Sequence, residues 1–221
     1  MRIGLFGGTF NPIHNGHLWA ALEVKNGFKL DQVYLIPAAV PPHKTSETVT
    51  NADDRLQMIN LAIADISGIT VADIELRRPG PSYTIDTVRH FKQTLKKGSR
   101  IFLMLGLDAF LEIHTWKSYK ELLEQIALIV IARPAEAYPQ AQQGRKVLED
   151  YFKSTLSADY ELSARGDYYM AKGKQPIHFC DVRARDISST VIREKVKEKQ
   201  PFEDWVPPQV AKYIQLKGLY T

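Results

Sequence analysis

Two patterns of apolar residues take turns along this chain. Short runs, most of them nearly continuous, stand at residues 2–6, 32–36, 70–72, 100–105, 127–132 and 177–180. Between the runs, apolar residues return every three or four positions. The stretch 16–26 follows the first run. The stretch 51–65 carries Leu56, Ile59, Leu61 and Ile63, and 83–97 carries Ile85, Val88, Phe91 and Leu95. The stretch 117–125 brings Leu122 and Leu123 up to Ile126. The first pattern predicts buried strands and the second amphipathic helices. Asn51 and Asp54 mark a helix start, and basic residues before Gly98 mark an end. Strands alternating with helices, the strands apolar on both faces, predict an α/β fold: a mostly parallel sheet flanked by helices. Ligands of such sheets lie beyond the carboxyl ends of the strands, where strand order reverses. The loops after Phe6, Ile36, Leu105 and Ala132, and the stretch after Cys180, therefore attract attention.

Residues 134–175 break the alternation. Pro134, Pro139 and several glutamines lie there, and Val147, Leu148, Tyr151, Phe152 and Leu156 predict one helix over about 140–156. Residues 157–175 are polar but carry Tyr160, Tyr168 and Tyr169. This region cannot supply a core of its own, so it reads as a peripheral insertion in a single domain spanning 1–221. Two helices close the chain, a basic one over 188–199 and another over 207–217. Pro207 and Pro208 open the second and Gly218 follows it, the usual asymmetry of helix ends.

Composition adds mainly exclusions. The 221 residues include 29 Lys and Arg against 25 Asp and Glu, a formal charge of +4. Each half of the chain carries a surplus of two, so no basic arm marks a nucleic-acid partner. With 44% hydrophobic and 24% charged residues the chain reads as globular. No apolar run reaches the ~20 residues of a membrane span, and no secretory leader pattern opens the sequence, so no membrane partner and a cytoplasmic location are expected. A lone Cys180 excludes an internal disulfide and a cysteine-cluster zinc site. Beside Phe179 and Val182 it is expected to be a small core residue.

The segment Gly7-Gly8-Thr9-Phe10-Asn11-Pro12-Ile13-His14-Asn15-Gly16-His17 joins the first strand to the first helix. Gly7 and Gly8 let backbone approach a ligand, and the helix start offers free N–H groups and a positive dipole end. Neither the G-x-G-x-x-G spacing nor a Walker Gly-Lys-Ser/Thr is present. His14 and His17, three apart, share a face if the turn is helical. They could be a metal pair, core residues or donors to phosphate. The helix terminus disfavours a cation, and polar Asn15 with Gly16 between them speaks against a core pair. Neutral imidazoles donating to phosphate oxygens fit best.

Residues 7–17 resemble the G-G-T-F-x-P-x-H-x-G-H signature of the nucleotidylyltransferase superfamily, and Ile187-Ser188-Ser189-Thr190-Val191-Ile192-Arg193 resembles its I-S-S-T-x-I-R signature. Pro41-Pro42-His43-Lys44, Pro81-Ser82-Tyr83-Thr84, Gly106-Leu107-Asp108, Thr115-Trp116 and Arg133-Pro134 are similar, in that order, to the bacterial nicotinate-nucleotide adenylyltransferase branch. The resemblance spans nearly the whole chain and is weakest over 136–175. It implies a Rossmann-like nucleotidyltransferase fold with a C-terminal helical segment, and adenylyl transfer from ATP to nicotinate mononucleotide, giving deamido-NAD and pyrophosphate. The phosphate nucleophile is already anionic, so catalysis is positioning and charge stabilisation.

The resemblance also implies roles. His14, His17, Lys44 and Arg193 would act on the ATP phosphates, with Gly7, Gly8, Thr9, Phe10, Ser188, Ser189 and Thr190. Asp108 would hold ribose hydroxyls and Trp116 would stack on the pyridine. Thr84 and the backbone near Ile85 and Lys117 would meet the carboxylate, and Arg133 belongs to the same mononucleotide set. Lys117 departs from the aromatic residue of the branch, and its charge would favour the acid over the amide. Ser189 and Thr190 could instead simply cap a helix, and Asp108 could do the same. No dedicated metal cage is visible; Mg²⁺ is expected to arrive with ATP. A homo-oligomer is left open. Competing readings are a nicotinamide mononucleotide or dual-specificity enzyme, a non-catalytic nucleotide-binding regulator, and an RNA-acting relative of the class I aminoacyl-tRNA synthetases. The last lacks their K-M-S-K-S segment and a basic extension.

Overall fold

The computed structural model describes residues 1–39, 49–132, 141–182 and 187–221, with residues 141 and 142 described by their backbone alone. The six predicted strands form within two residues of their expected bounds: β1 (Arg2–Gly8), β2 (Gln32–Pro37), β3 (Ile69–Val71), β4 (Arg100–Gly106), β5 (Ala127–Ala132) and β8 (Ile177–Asp181). Two short strands, β6 (Glu161–Leu162) and β7 (Tyr169–Met170), complete one sheet of order β3-β2-β1-β4-β5-β8-β7-β6. From β3 to β8 every pairing is parallel; β7 runs antiparallel to both β8 and β6. Successive connections run outward from β1 on one side and then from β4 on the other. The reversal lies between β1 and β4, where their carboxyl ends leave a crevice.

Alternating side chains of these strands face two cores. Phe6, Phe102, Met104, Ile129 and Ile131 meet α1 (Asn15–Gly27), α2 (Ala52–Ile63), α8 (Ser189–Lys197) and α9 (Pro208–Lys217) on one face. Ile3, Leu5, Leu103, Leu105, Leu128 and Val130 meet α4 (Thr84–Thr94), α6 (Tyr119–Gln125) and α7 (Ala141–Tyr151) on the other. Ile85, Val88 and Phe91 in α4 and Leu122 and Leu123 in α6 are buried as their period predicts. In α2, however, Leu56 and Leu61 are only half-buried, and the buried face is Arg55, Met58, Ile59, Ala62 and Ile63. Asn51 caps α2 by accepting the Asp53 N–H at 2.9 Å. Asp54 accepts the Tyr213 hydroxyl at 2.7 Å instead.

Several expectations need correcting. α4 ends at Thr94, because Leu95 is extended. The predicted 140–156 helix is α7 followed by a π turn over Phe152–Leu156. Two short helices, α3 (Ile74–Arg77) and α5 (Leu107–Leu111), went unforeseen, being too short to show a period. β6 and β7 were hidden for the same reason. Tyr169 of β7 is buried in the second core against Phe152, whose ring stacks on Tyr160 with centroids 4.6 Å apart. Cys180 packs against the first core, and burial pushes its thiol up to about 11.

Candidate active site

The loop between β1 and α1 crosses the crevice, and its neighbours hold it by its carbonyls. Thr9 O accepts from Arg55 Nη1 at 2.7 Å, Asn11 O from Arg193 Nη1 at 2.8 Å, and Pro12 O from Ser189 Oγ at 2.9 Å. The peptide after Asn11 is cis; those after Thr9 and Pro12 are trans. In a trans peptide the N–H points opposite to the C=O. The amides of Phe10 and Ile13 are therefore turned away from Arg55 and Ser189. The Asn11 side-chain oxygen accepts from Thr50 N at 3.3 Å and from the Tyr220 hydroxyl at 2.9 Å. Burial pushes that phenol up to about 12, so it is a donor at neutral pH.

Phe10 lies in the left-handed region, φ 49°, with its ring edge-on to Phe6 and to His17. A Cβ at Gly8 would stand 3.0 Å from that ring, so a larger residue there requires the ring to give by a few tenths of an ångström. His14 is the residue before α1 and His17 its third residue. Their rings stack, centroids 3.7 Å apart. The His14 N–H donates to His17 Nδ1 at 3.3 Å. In the neutral ring the proton then sits on Nε2, leaving that nitrogen as the donor.

Two cavities meet at this loop. The first, about 210 Å³, is lined by Thr9, Asn11, His14 and His17 from the loop side, and by Ile187, Ser188, Ser189, Thr190 and Arg193 from the start of α8. Among the described residues, no carboxylate lines it. The second, about 310 Å³, lies over the carboxyl ends of β1 and β4. Gly7, Gly8, Thr9, Thr84, Gly106, Trp116 and Lys117 line it, with Glu75, Ser82 and Thr87. Thr9 lines both.

The family model described as cytidylyltransferase-like matches residues 5–195. A "Probable nicotinate-nucleotide adenylyltransferase" of Desulfatibacillum aliphaticivorans is 40% identical over the full length of both chains. The chain belongs to the cytidylyltransferase-like family, among its nicotinate-nucleotide adenylyltransferases. A Clostridium tetani protein of the same name is 33% identical over 98% of this chain and 97% of its own. The fold is that of the nicotinic acid mononucleotide adenylyltransferase of Plasmodium falciparum solved with NaAD. The TM-score is 0.73 over 99% of this chain and 97% of that one, at 19% identity.

Of the residues that the family signatures single out, the described structure brings most together. His14, His17, Ser188, Ser189, Thr190 and Arg193 share the first cavity, and Gly7, Gly8, Thr84, Trp116 and Lys117 the second. Phe10 and Ile85 are buried and can offer backbone only. Asp108 is exposed at the start of α5, where its neighbours Gly106 and Ala109, and not its own side chain, line the cavity. Lys44 and Arg133 lie outside the described residues. Helix capping does not explain Ser189 and Thr190. The cap of α8 is Ser188, whose hydroxyl accepts the Thr190 N–H at 3.2 Å. The hydroxyl oxygen of Thr190 accepts from Arg193 Nη2 at 3.3 Å.

Lys117 Nζ lies 4.3 Å from the Tyr83 ring centroid and 3.4 Å from Asp86 Oδ2. Arg89 holds the same carboxylate at 3.1 Å and that of Glu121 at 2.6 Å. Sequence reasoning missed Arg55, Glu75 and Thr87. The buried Thr87 hydroxyl donates to Glu75 Oε1 at 2.5 Å. A signal for Arg55 existed: with Met58, Ile59 and Ala62 it occupies i, i+3, i+4 and i+7 of an apolar face. Among the described residues, no group of three or more His, Cys, Asp and Glu could hold a metal ion.

Proposed function

We propose that this protein transfers the adenylyl group of ATP to nicotinate mononucleotide, releasing pyrophosphate and giving deamido-NAD for NAD biosynthesis. The observation that carries this is Thr9: one residue lines both a cavity rich in phosphate donors and a cavity walled by Trp116, Thr84 and Lys117. Two substrates seated there would meet at the loop. An oxygen of the mononucleotide's 5′-phosphate bonds to the α-phosphorus, and the bond from the α-phosphorus to the oxygen bridging it to the β-phosphorus breaks, that oxygen keeping the electron pair as it leaves in pyrophosphate. No side chain has to remove a proton. The protein's work is alignment and stabilisation of charge on the phosphoryl oxygens.

His17 supplies its Nε2–H, Arg193 its remaining N–H groups, and the start of α8 its unpaired amides. In the second cavity Trp116 offers a face to the pyridine, and Thr84 with the start of α4 offers donors to the carboxylate. Lys44 and Arg133 keep the phosphate and mononucleotide roles that the family signatures imply. Mg²⁺ riding on the triphosphate would offset part of its charge. The chain acts as one nucleotidyltransferase domain in the cytoplasm. No helix among the described residues is long and apolar enough to cross a membrane.

The test is pyrophosphate release by purified protein with ATP, Mg²⁺ and either nicotinate or nicotinamide mononucleotide. Release with nicotinate mononucleotide in preference is expected. Equal release with both overturns the acid preference, and none with either leaves a non-catalytic nucleotide binder.

A further inference from the structure

We propose that Arg55 is a positioning residue for adenylyl transfer, fixing the Thr9–Phe10 peptide that the two cavities share and placing a permanent positive charge behind the phosphate loop. This rests on the proposed function. Arg55 is 1% exposed and heads the fully buried side chains by volume. It stands on the apolar face of α2, where Met58 and Ile59 pack into the core. An aliphatic residue would satisfy that face. Burying a cation is costly unless its charge is paired and its donors are met.

All of its hydrogen bonds among the described residues run to carbonyls. Nε donates to Thr50 O at 3.0 Å, Nη1 to Thr9 O at 2.7 Å, and Nη2 makes a long contact with Ala39 O at 3.5 Å. The three acceptors come from three separate stretches of backbone: the phosphate loop, the end of β2 and the start of α2. Only a planar fork of donors spans them, and the single ammonium of lysine does not. Carbonyl dipoles satisfy the N–H groups without cancelling the charge. Burial lowers the guanidinium pKa from its ordinary value, yet arginine stays protonated. In a low-dielectric interior that charge acts over a longer range than one in water, and the nearest bonded loop atom is the Thr9 carbonyl. Anchoring this oxygen turns the Phe10 amide to the opposite side. Arg193 and Ser189 hold the next carbonyls in the same manner, but from the cavity wall. Arg55 holds its carbonyl from the core and lines neither cavity.

The test is steady-state kinetics of pyrophosphate release for wild type, Arg55→Lys, Arg55→Gln and Arg55→Met, with thermal unfolding of each. Arg55→Lys keeps the charge and loses the fork; Arg55→Gln keeps an amide donor and loses the charge. For variants that fold, kcat is expected to fall between about 10-fold and 10²-fold, the scale of a small misplacement of reacting groups. KM for both substrates should stay within about threefold of wild type, since neither cavity wall changes. A folded variant with kcat within twofold of wild type overturns the proposal, as does failure of all three to fold, which would make Arg55 a residue of the fold alone. Wild type without turnover would overturn the proposed function instead, so the two failures are distinct.

Discussion

The imidazole rings of His14 and His17 lie stacked, their centroids 3.7 Å apart and their planes inclined by 27°. Gly16 leaves space beside the His14 ring, since an added Cβ would stand 3.1 Å from His14 Nδ1 and 3.4 Å from Ile187 Cβ. Because His17 Nδ1 accepts the His14 N–H, the neutral ring carries its proton on Nε2, and that nitrogen is the one able to donate to a phosphoryl oxygen. His17→Ala should therefore lower kcat by roughly 10²–10³-fold, the scale for losing one transition-state donor. Pyrophosphate release by the folded variant measures this, and unchanged turnover would remove His17 from the chemistry.

Lys117 bears on substrate choice. Its ammonium is held between the Tyr83 ring and Asp86, at the rim of the second cavity. Its side chain is 47% exposed, so solvent screens its attraction for a pyridine carboxylate to about 1 kcal/mol or less. Lys117→Ala should lower kcat/KM for nicotinate mononucleotide by up to about fivefold and leave that for nicotinamide mononucleotide nearly unchanged. The gap should shrink at high salt. Equal losses for both substrates would show that the charge does not discriminate.

Tyr160 stacks on Phe152, and its buried hydroxyl finds no hydrogen-bond partner among the described residues. Burial pushes its phenol up to about 12. An unsatisfied buried polar group costs about 1–3 kcal/mol. Tyr160→Phe keeps the stack and removes that cost, so it should raise unfolding stability by about 1 kcal/mol, read from urea midpoints. A loss of stability would mean that the hydroxyl is bonded in solution.

His178 of β8 sets a pH dependence. Burial lowers its pKa from the usual 6.5, and Arg2 acts in the same direction, while Asp167, which accepts through its backbone carbonyl and carries a nearby charge, opposes them. The unfolded chain binds this proton more readily than the folded one. Its contribution is therefore present above about pH 6.5 and is lost as pH falls through the lower folded value. His178→Gln should flatten the fall of stability between neutral pH and pH 5, measured by urea unfolding at each pH. An unchanged slope would assign the fall to other groups.

Much of the architecture was readable before folding. Strands buried on both faces leave continuous apolar runs, as in Ile101 to Leu105, and helices with one buried face leave a three-and-four period, as in Ile85, Val88 and Phe91. Both signals need several residues to build up. That is why β6, β7, α3 and α5 were missed and β4 was not. The loop of glycines and histidines after β1 was legible from its residues, whereas the segment 187–193 stood out only through its resemblance to a family signature.

What the one-dimensional record decided was which of the longer elements form and which residues are candidates for phosphate chemistry. What tertiary structure alone decided was their company. Ser189 reaches Pro12 across 177 positions, and Arg193 reaches Asn11 across 182. Periodicity says nothing of such pairs, since it reports which face is buried and not what lies opposite. The period also leaves a charged residue, Arg55, on the apolar face of α2, a signal that was missed and that would not have named the Thr9 carbonyl accepting its hydrogen bond. The need to satisfy every buried polar group is met by partners from distant elements, and only the packed fold brings those partners together.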